Sequence, residues 1–565
     1  MEAQTQMKKF ISCLLTFVLI LSLMAPLSVC VSAEDTTVFG TDDYNIDDED
    51  DLLTFGQLLE TNTFEGKTIV LTNDITLTQE WNAVYASNVA FYGIFDGQGH
   101  TITGLEKPNA SGNWGFIPNG GGCTIQNVTF KEVSITSSGC TGTIVGYKAG
   151  SGDMTFINVH VQGSLSGSNV LGGFVGATRT YNTVSFTNCS FVGSLTNTSS
   201  NYTGGLVGGS GAHITATNCY VNATIEANSY VGGIIGQTGG SGVDTNRAVT
   251  VTNCYIDGSI TTSAGGQRVG GIGGRLGKAV VTDCVVAMDI TASDTTTLVA
   301  AFAAQSLMTG TDSTATFTRC VYTGNLTAKG EKVGVFTAQG NSSATITDCI
   351  LLGSVTPNTL PVGLLDSNST GSITATGLYC DTTVYTGLAN TDGVVNINGM
   401  ELGGTNGAKN LPDLFSEANR VNWTITDTCP MPSNALKGCN VANLEMLAFQ
   451  TNPETVTGEY DVRFVGFINS TNYKEAGVIV KIGGKEATIP ATHVYNSINE
   501  KLGNTTNSVG ITKYGYETED GHFLAIVLTD VPADVTVFTV TPYVVTNDGI
   551  TVYGVSGTAS VTVTQ

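Results

Sequence analysis

The stretch Ser185-Phe-Thr-Asn-Cys-Ser-Phe-Val-Gly-Ser-Leu195 decides the fold, because its central pattern recurs along the chain. In every copy but the last, Asn, Asp or Arg precedes a small or aliphatic residue, and in all of them another apolar residue follows two positions later. The copies are 29 to 36 residues apart, beginning at Val128 and Val159 and ending at Leu378. Between them this column consists of Cys189, Cys219, Cys254, Cys284, Cys320 and Cys349.

A glycine-rich pattern repeats in phase with the cysteine column. Its clearest copies are Gly172-Gly-Phe-Val-Gly176, Gly204-Gly-Leu-Val-Gly208 and Gly232-Gly-Ile-Ile-Gly236. Alternation of apolar side chains with period two predicts strands with one buried face, and the glycines are expected at tight corners. One unit cannot bury its apolar face alone, but coils stacked about 4.8 Å apart can. We therefore predict an all-β fold, a parallel β-helix of about nine to ten coils. An array of ordinary β-sandwiches is the alternative, and it lacks such identical columns.

Composition narrows the classes of partner. The 565 residues include 23 Lys and Arg against 47 Asp and Glu, which gives a net charge of −24. A protein that binds nucleic acid or anionic lipid needs a basic surface, so neither is an expected partner. Hydrophobic residues make up 41% of the chain, which is enough for a large core.

The N-terminus predicts export. Lys8 and Lys9 precede the apolar run 10–31, and the small residues Ser32 and Ala33 follow it. This is the pattern of a secretory signal peptide, and a membrane anchor is the alternative. We expect a secreted protein, associated with a cell surface and without membrane insertion after cleavage.

Changes in pattern divide the chain. The acidic run 47–51 and the leucines after it predict a short helix that caps the first coil, and the run lacks the spacing of an EF-hand calcium loop. Beyond residue 443 the repeat gives way to short strands and the hairpin signal Thr546-Asn-Asp-Gly549. The predicted order is a signal peptide 1–33, an N-terminal cap 34–66, a parallel β-helix 67–430, a junction 431–442 and an immunoglobulin-like β-sandwich 443–565.

The repeat region resembles a known family. Phe91-Tyr-Gly-Ile-Phe-Asp-Gly-Gln-Gly-His-Thr-Ile102 is similar to the first coil of bacterial surface proteins that carry the GLUG motif, and the Gly-Gly-Leu-Val-Gly copies resemble that motif itself. The resemblance covers about residues 50–430 and implies a β-helix in an adhesin-like protein of a Gram-positive bacterium. The C-terminal segment resembles a module found in many secreted Firmicute proteins, which implies a spacer or an attachment to glycans.

The cysteines and polar residues give few candidates for chemistry. The cysteine column is either a buried stack of small apolar side chains or a metal or redox ladder, and the absence of CxxC spacing favours the stack. Cys429 and Cys439 are the candidate disulfide pair. Asn before the first three cysteines of the column favours a turn that tolerates left-handed backbone, and His100 lies in a glycine-rich corner. We expect no catalytic residue, no metal and no cofactor.

One surface feature is a candidate binding site. If the cysteines and the residues two places later point inward, the residues between them face water as an apolar stripe. The predicted stripe consists of Tyr220, Tyr255, Val285, Val321, Ile350 and Tyr379. Aromatic faces suit sugar rings and protein surfaces alike. A stacking ladder covered by loops is the alternative.

Together these patterns predict an adhesin-like binding scaffold that engages glycans or proteins of a host or of other microbes along the β-helix. The alternatives are a carbohydrate-active β-helix enzyme, either a polysaccharide lyase or a glycoside hydrolase, and a passive spacer. Clustered carboxylates in a groove would favour the enzyme.

Overall fold

The described residues between 45 and 398 form, as the sequence predicts, a parallel β-solenoid of about nine turns. The structure is a computed structural model. It describes residues 44–179, 181–199, 201–238, 247–262, 267–293, 298–306, 314–328, 332–340, 343–357, 373–385, 392–398, 423–425 and 430–432, together with the strands of two C-terminal sheets. The predicted signal peptide, the predicted helix 411–418, and Cys429 and Cys439 lie outside the described residues.

The turns between Ile117 and Gly340 pass through three sheets, and within each sheet the strands of neighbouring turns pair in parallel. The largest sheet has 26 strands in two arms that meet at a corner within every turn. Its first arm comprises Asn45–Ile46, Thr68–Leu71, Ile94–Asp96, Thr183–Thr187, His213–Thr217, Ala248–Thr252, Lys278–Thr282, Ala315–Thr318, Ala344–Thr347 and Ile373–Thr376. Its second arm comprises Ile75–Thr76, Thr101–Thr103, Glu106–Ala110, Ser190–Asn197, Tyr220–Glu226, Tyr255–Thr261, Val285–Val286, Asp289–Thr291, Val321–Tyr322, Asn325–Ala328, Ile350–Leu351, Ser354–Pro357, Leu378–Cys380 and Val394–Asn396. The long strands Thr124–Ser137 and Met154–Gly167 run through both arms.

Two smaller sheets complete each turn. The eight-stranded sheet comprises Ile117–Gly120, Val145–Lys148, Val175–Thr178, Val207–Ser210, Ile235–Thr238, Gly273–Leu276, Ala303–Ser306 and Thr337–Gly340. The seven-stranded sheet comprises Thr141–Gly142, Leu171–Gly172, Thr203–Gly204, Val231–Gly232, Arg268–Gly270, Leu298–Ala300 and Lys332–Gly334. The interior is filled by aliphatic and phenylalanine side chains that stack from turn to turn, as Phe156 does on Phe186 with ring centroids 4.9 Å apart.

The corner between the two arms is a column of left-handed residues, as predicted for Asn. Asn188, Asn218 and Asn253 have φ between 51° and 54°. Their side chains form a ladder, in which Asn218 Nδ2 donates to Asn188 Oδ1 at 3.1 Å and Asn253 Nδ2 donates to Asn218 Oδ1 at 2.8 Å. The ladder ends at Asn253, whose Oδ1 is buried without a hydrogen-bond partner. The next residue in the column is Asp283, and an ionised carboxylate has no donor to offer.

The glycine pattern is explained by the lack of room for a side chain at these positions. A Cβ on Gly205 would lie 1.9 Å from the carbonyl oxygen of Gly233 in the next turn and 2.7 Å from Val221 Cγ1. A Cβ on Gly208 would lie 2.6 Å from the oxygen of Leu171. Gly205 lies at the bend between Thr203–Gly204 and Val207–Ser210, as predicted, but the φ angles of both glycines lie outside the left-handed region. They are needed because backbones of neighbouring strands and turns touch.

The first turn is covered by the helix Glu49–Leu58. Asp48 caps its N-terminus, where the Asp48 carboxylate accepts the Asp51 N–H at 3.0 Å. On its buried face the ring of Phe55 lies 5.4 to 5.9 Å from the rings of four other phenylalanines. The helix therefore closes the apolar interior, which would otherwise open to water at this end.

The C-terminal strands form two antiparallel sheets. One contains Met446–Asn452, Glu459–Ile468, Val494–Tyr495 and His522–Pro532. The other contains Glu475–Ile482, Lys485–Pro490, Val537–Val545, Thr551–Tyr553 and Gly557–Ser560. A separate short pair joins Trp423–Ile425 to Pro430–Pro432. The strands of the two sheets agree with the short strands predicted beyond residue 443, and the immunoglobulin-like assignment stays a prediction.

Replacing Gly205 by alanine is expected to destabilise the solenoid by about 3 kcal/mol or more, since overpacking against backbone cannot be relieved by a rotamer change. Gly167→Ala is the matched control, because a Cβ there meets its nearest atom, the Ser137 oxygen, at 3.0 Å. The measurement is urea unfolding followed by circular dichroism. Equal stability of the two variants would contradict the spatial explanation.

Replacing Asn218 by alanine is expected to lower the free energy of unfolding by about 2–4 kcal/mol, through two lost ladder hydrogen bonds and a strained left-handed alanine. Asn218→Gly removes the same hydrogen bonds but accepts the backbone conformation, so its loss should be smaller by about 1 kcal/mol. Urea unfolding of both variants checks this order. Identical losses would show that the left-handed backbone carries no cost.

Candidate functional site

The predicted apolar stripe is buried. Tyr220, Tyr255, Val285, Val321, Ile350 and Tyr379 have exposed fractions of 0 to 8% and belong to one hydrophobic cluster, so the prediction that they face water is wrong. Side chains of the same column stack in register from turn to turn, with Tyr220 paired to Tyr255. Val192, Ala287 and Leu352 pack against the column and add to its cover.

The corner explains why the alternation of faces failed. A strict inward–outward pattern requires continuous extended backbone, and the left-handed residue before each cysteine interrupts it. Three consecutive residues after the corner are therefore buried, as Cys219, Tyr220 and Val221 show. The stripe is a second core column rather than a binding surface.

The cysteine column is buried, as predicted, with exposed fractions of 0 to 1%, and its thiols are free. Cys254 Sγ lies 3.2 Å from the carbonyl oxygen of Thr252 and 3.5 Å from that of Ala216, and it accepts the Cys219 N–H at 3.3 Å. Burial raises the pKa of Cys189 and of Cys254 well above the usual range of a thiol. These protonated thiols bond to the backbone and do not resemble a reactive or metal-binding set.

Carboxylates at the corner do not form a catalytic pair. Asp283 is 1% exposed, and both of its oxygens accept hydrogen bonds from Arg319, at 2.5 Å from Nε and 2.8 Å from Nη2. Asp96 ends the Asn ladder by accepting from Asn127 Nδ2 at 3.1 Å. His100 lies at another corner, where its Nδ1 is 3.1 Å from the Asp74 carboxylate. The same carboxylate accepts a hydrogen bond from the Thr101 N–H.

Asp47, Asp48 and Asp51 form a carboxylate cluster at the helix N-terminus. Burial and the neighbouring Asp47 raise the pKa of Asp51 to about 6. The cluster serves the helix, because Asp48 caps it and the Asp51 carboxylate reaches the Asp47 N–H at 3.5 Å.

A Ser–His contact that sequence reasoning missed lies in the column after the cysteines. His160 Nδ1 is 2.8 Å from Ser190 Oγ, and the two residues are 8% and 5% exposed. His160 Nε2 is buried without a hydrogen-bond partner. Burial lowers the pKa of His160 to about 4, so the ring is neutral at physiological pH. Without access to solvent this pair is part of the core.

The outer surface of the solenoid carries a different set of aromatic residues. Tyr202 and Tyr230, one turn apart at the start of the seven-stranded sheet, are partly exposed, and their ring centroids are 5.2 Å apart. The guanidinium of Arg268, one turn further, lies 4.9 Å from the ring centroid of Tyr230. Arg268 Nε donates to Gln305 Oε1, and Nη1 donates to Gln267 Oε1 at 3.1 Å. These contacts hold the rings and the guanidinium in one continuous row.

The eight-stranded sheet provides the floor beside this row. Gly209 lies under Tyr202, since a Cβ there would be 2.8 Å from Tyr202 Cδ2. Arg275 occupies the same column of the sheet two turns later, paired with Gln237 and Gln305 in neighbouring turns, and its charge acts on Arg268. We call Tyr202, Tyr230, Arg268 and Arg275 the Tyr–Arg face.

Two further tyrosine–arginine pairs flank the eight-stranded sheet. Arg179, which is exposed, hydrogen-bonds to Tyr147. The guanidinium of Arg247 lies 4.2 Å from the ring centroid of Tyr181, whose side chain is 70% exposed. A Cβ on Gly211 would lie 3.0 Å from Arg247 Nη1 and 3.1 Å from the backbone oxygen of Arg179. Arg247 is 6% exposed, so Tyr181 covers most of its side chain, whereas Arg179 is exposed.

A signal for this face was present in the repeat. Tyr202, Tyr230 and Arg268 each stand two residues before the first glycine of a glycine pair, at a position where other copies have Val170 and Leu298. Alignment of the glycine column rather than the cysteine column places them in one row. The sequence alone did not show that this column lies outside and the column after the cysteines lies inside.

Comparison with known proteins adds little. No known protein family matches the chain, and no solved structure matches it. An alignment of 120 residues, 19% of the chain, is 35% identical to Halomucin of Haloquadratum walsbyi and spans 1% of that protein. So short a share of Halomucin shows no family for the chain. In the part of the chain that the structure describes, no helix has the length and apolar character needed to cross a bilayer.

Acidification should destabilise the protein through His160. Because the pKa of His160 falls to about 4 on burial, the unfolded chain binds a proton between about pH 6.5 and pH 4 that the folded protein does not. The free energy of unfolding therefore decreases as the pH falls through this window, by about 3 kcal/mol from this group. His160→Asn removes the titrating ring, so its urea unfolding should depend less on pH. An identical pH dependence in both proteins would contradict the assignment.

Proposed function

We propose that the chain is a secreted, surface-associated binding scaffold of the GLUG type, which engages glycans or proteins through the outer side of its solenoid and performs no catalysis. The observation that carries this proposal is the row of Tyr202, Tyr230 and Arg268, fixed on successive turns. The two rings meet edge to face, at 79°, and rings that are held in place and partly exposed bind a partner without the entropy loss of ordering them.

The remaining sites support binding rather than chemistry. Asp283 is ion-paired, the thiols are buried, and the His160–Ser190 contact is inside the core. Each of these groups stabilises the turn in which it lies. Recognition is therefore assigned to the outer columns, whose residues change from turn to turn while the core columns keep their character.

The leader-like run after Lys8 and Lys9 supports export in this proposal. The two antiparallel C-terminal sheets are consistent with an immunoglobulin-like module that acts as a spacer. GLUG-type membership rests on the glycine copies and on the solenoid that they build.

Replacing Tyr202 and Tyr230 together by serine is expected to weaken binding of the full chain to its glycan or cell-surface target by about tenfold or more. Both side chains are partly exposed, so the thermal unfolding curve should change little. Binding to a glycan array and to host cells, with circular dichroism on the same samples, measures both effects.

Val384→Ser is the control, because it removes an apolar side chain that is 48% exposed and lies in another part of the solenoid. It should bind as the wild type does. Undiminished binding by the double tyrosine variant would remove the assigned face, and failure of the wild-type chain to bind any glycan or cell would remove the proposed function.

A further inference from the structure

Positive charge is distributed unevenly in this acidic protein. The chain has a net charge of −24, and it contains seven arginines. Four of them lie on the Tyr–Arg face and its flanking pairs: Arg179, Arg247, Arg268 and Arg275. In a protein that repels anions overall, such a group creates a local site for a negatively charged ligand.

Contacts with neighbouring side chains fix the positions of three of these guanidinium groups. Arg247 and Arg268 rest on tyrosine rings at 4.2 Å and 4.9 Å, and Arg179 is hydrogen-bonded to Tyr147. Gln305 and Gln267 fix the plane of Arg268. A guanidinium held flat in this way presents a fork of N–H groups that matches a carboxylate or a sulfate.

Resting on the proposed function, we propose that the Tyr–Arg face binds an acidic polysaccharide, whose sugar rings lie on Tyr202 and Tyr230 and whose carboxylate or sulfate groups contact Arg268 and Arg275. Two successive turns supply rings and the next turn supplies the cations, so a polymer that carries both sugar rings and acidic groups can contact all three turns. Nucleic acid needs a continuous basic surface, which a chain with 23 Lys and Arg against 47 Asp and Glu does not provide. An acidic peptide offers charge but few flat rings for the tyrosines.

The test uses the full chain and two forms of one polymer. Polygalacturonate carries a carboxylate on each sugar, whereas its methyl ester has the same rings without the charge. We expect polygalacturonate to bind about tenfold more tightly than the ester, and this binding to weaken as salt is raised. Polyglutamate and a single-stranded DNA oligomer of similar length complete the set of probes.

Arg268→Gln combined with Arg275→Gln should weaken binding to polygalacturonate by about tenfold, and by a clearly larger factor than binding to the ester. Lys67→Gln combined with Lys131→Gln makes the same change in net charge in the first turns and is expected to bind as the wild type does. Circular dichroism confirms that both variants fold.

The outcomes separate the two proposals. Equal binding of polygalacturonate and its ester, or tighter binding of polyglutamate or DNA, overturns the acidic polysaccharide and leaves a binding scaffold. Equal losses in the arginine and lysine variants also overturn it, since net charge alone would then explain the affinity. If a glycan array and host cells also show no binding, the proposed function itself fails.

Discussion

Contact between backbones of neighbouring turns is the constraint on which this solenoid depends. At Gly205 the oxygen of Gly233 occupies the position that a Cβ would need, and Gly208 meets the oxygen of Leu171 in the same manner. These contacts let the two small sheets lie against each other with no side chain between them. The flexibility of glycine disfavours folding, and the continuous aliphatic interior offsets that loss.

The second constraint is the left-handed corner. It turns the chain between the two arms and places an amide column beside a thiol column, so that polar side chains inside each turn find partners in the next. Where Asp283 and Arg319 interrupt the amides, an ion pair takes over the connection between turns. A different residue at the corner is therefore tolerated when it bonds to the corner residue of the next turn, as Asp283 does to Arg319.

The sequence was sufficient for the solenoid because period-two alternation, a fixed repeat length and glycine at constant offsets all depend on local geometry. It also placed the cysteines inside and Asn at the left-handed corner. It gave the wrong burial for Tyr220 and Tyr255, because the alternation of buried and exposed side chains stops at the left-handed residue that precedes each cysteine. The contact of Arg268 with Tyr230 was inaccessible to it, since that depends on the packing of turns.

The burial of Tyr220 and Tyr255 indicates which columns of such a fold can hold ligand-binding residues. A column that keeps one chemical character in every turn, such as cysteine or glycine, is held by packing, and any ligand-binding residue there would disrupt the stack. A column whose members change from Val170 to Tyr202 and then to Arg268 is free of that requirement. Variation alone does not mark such a position, because the buried column after the cysteines also changes, from His160 to Tyr220 and Val285. The positions able to encode recognition are those that vary and also reach the surface, as Tyr202, Tyr230 and Arg268 do.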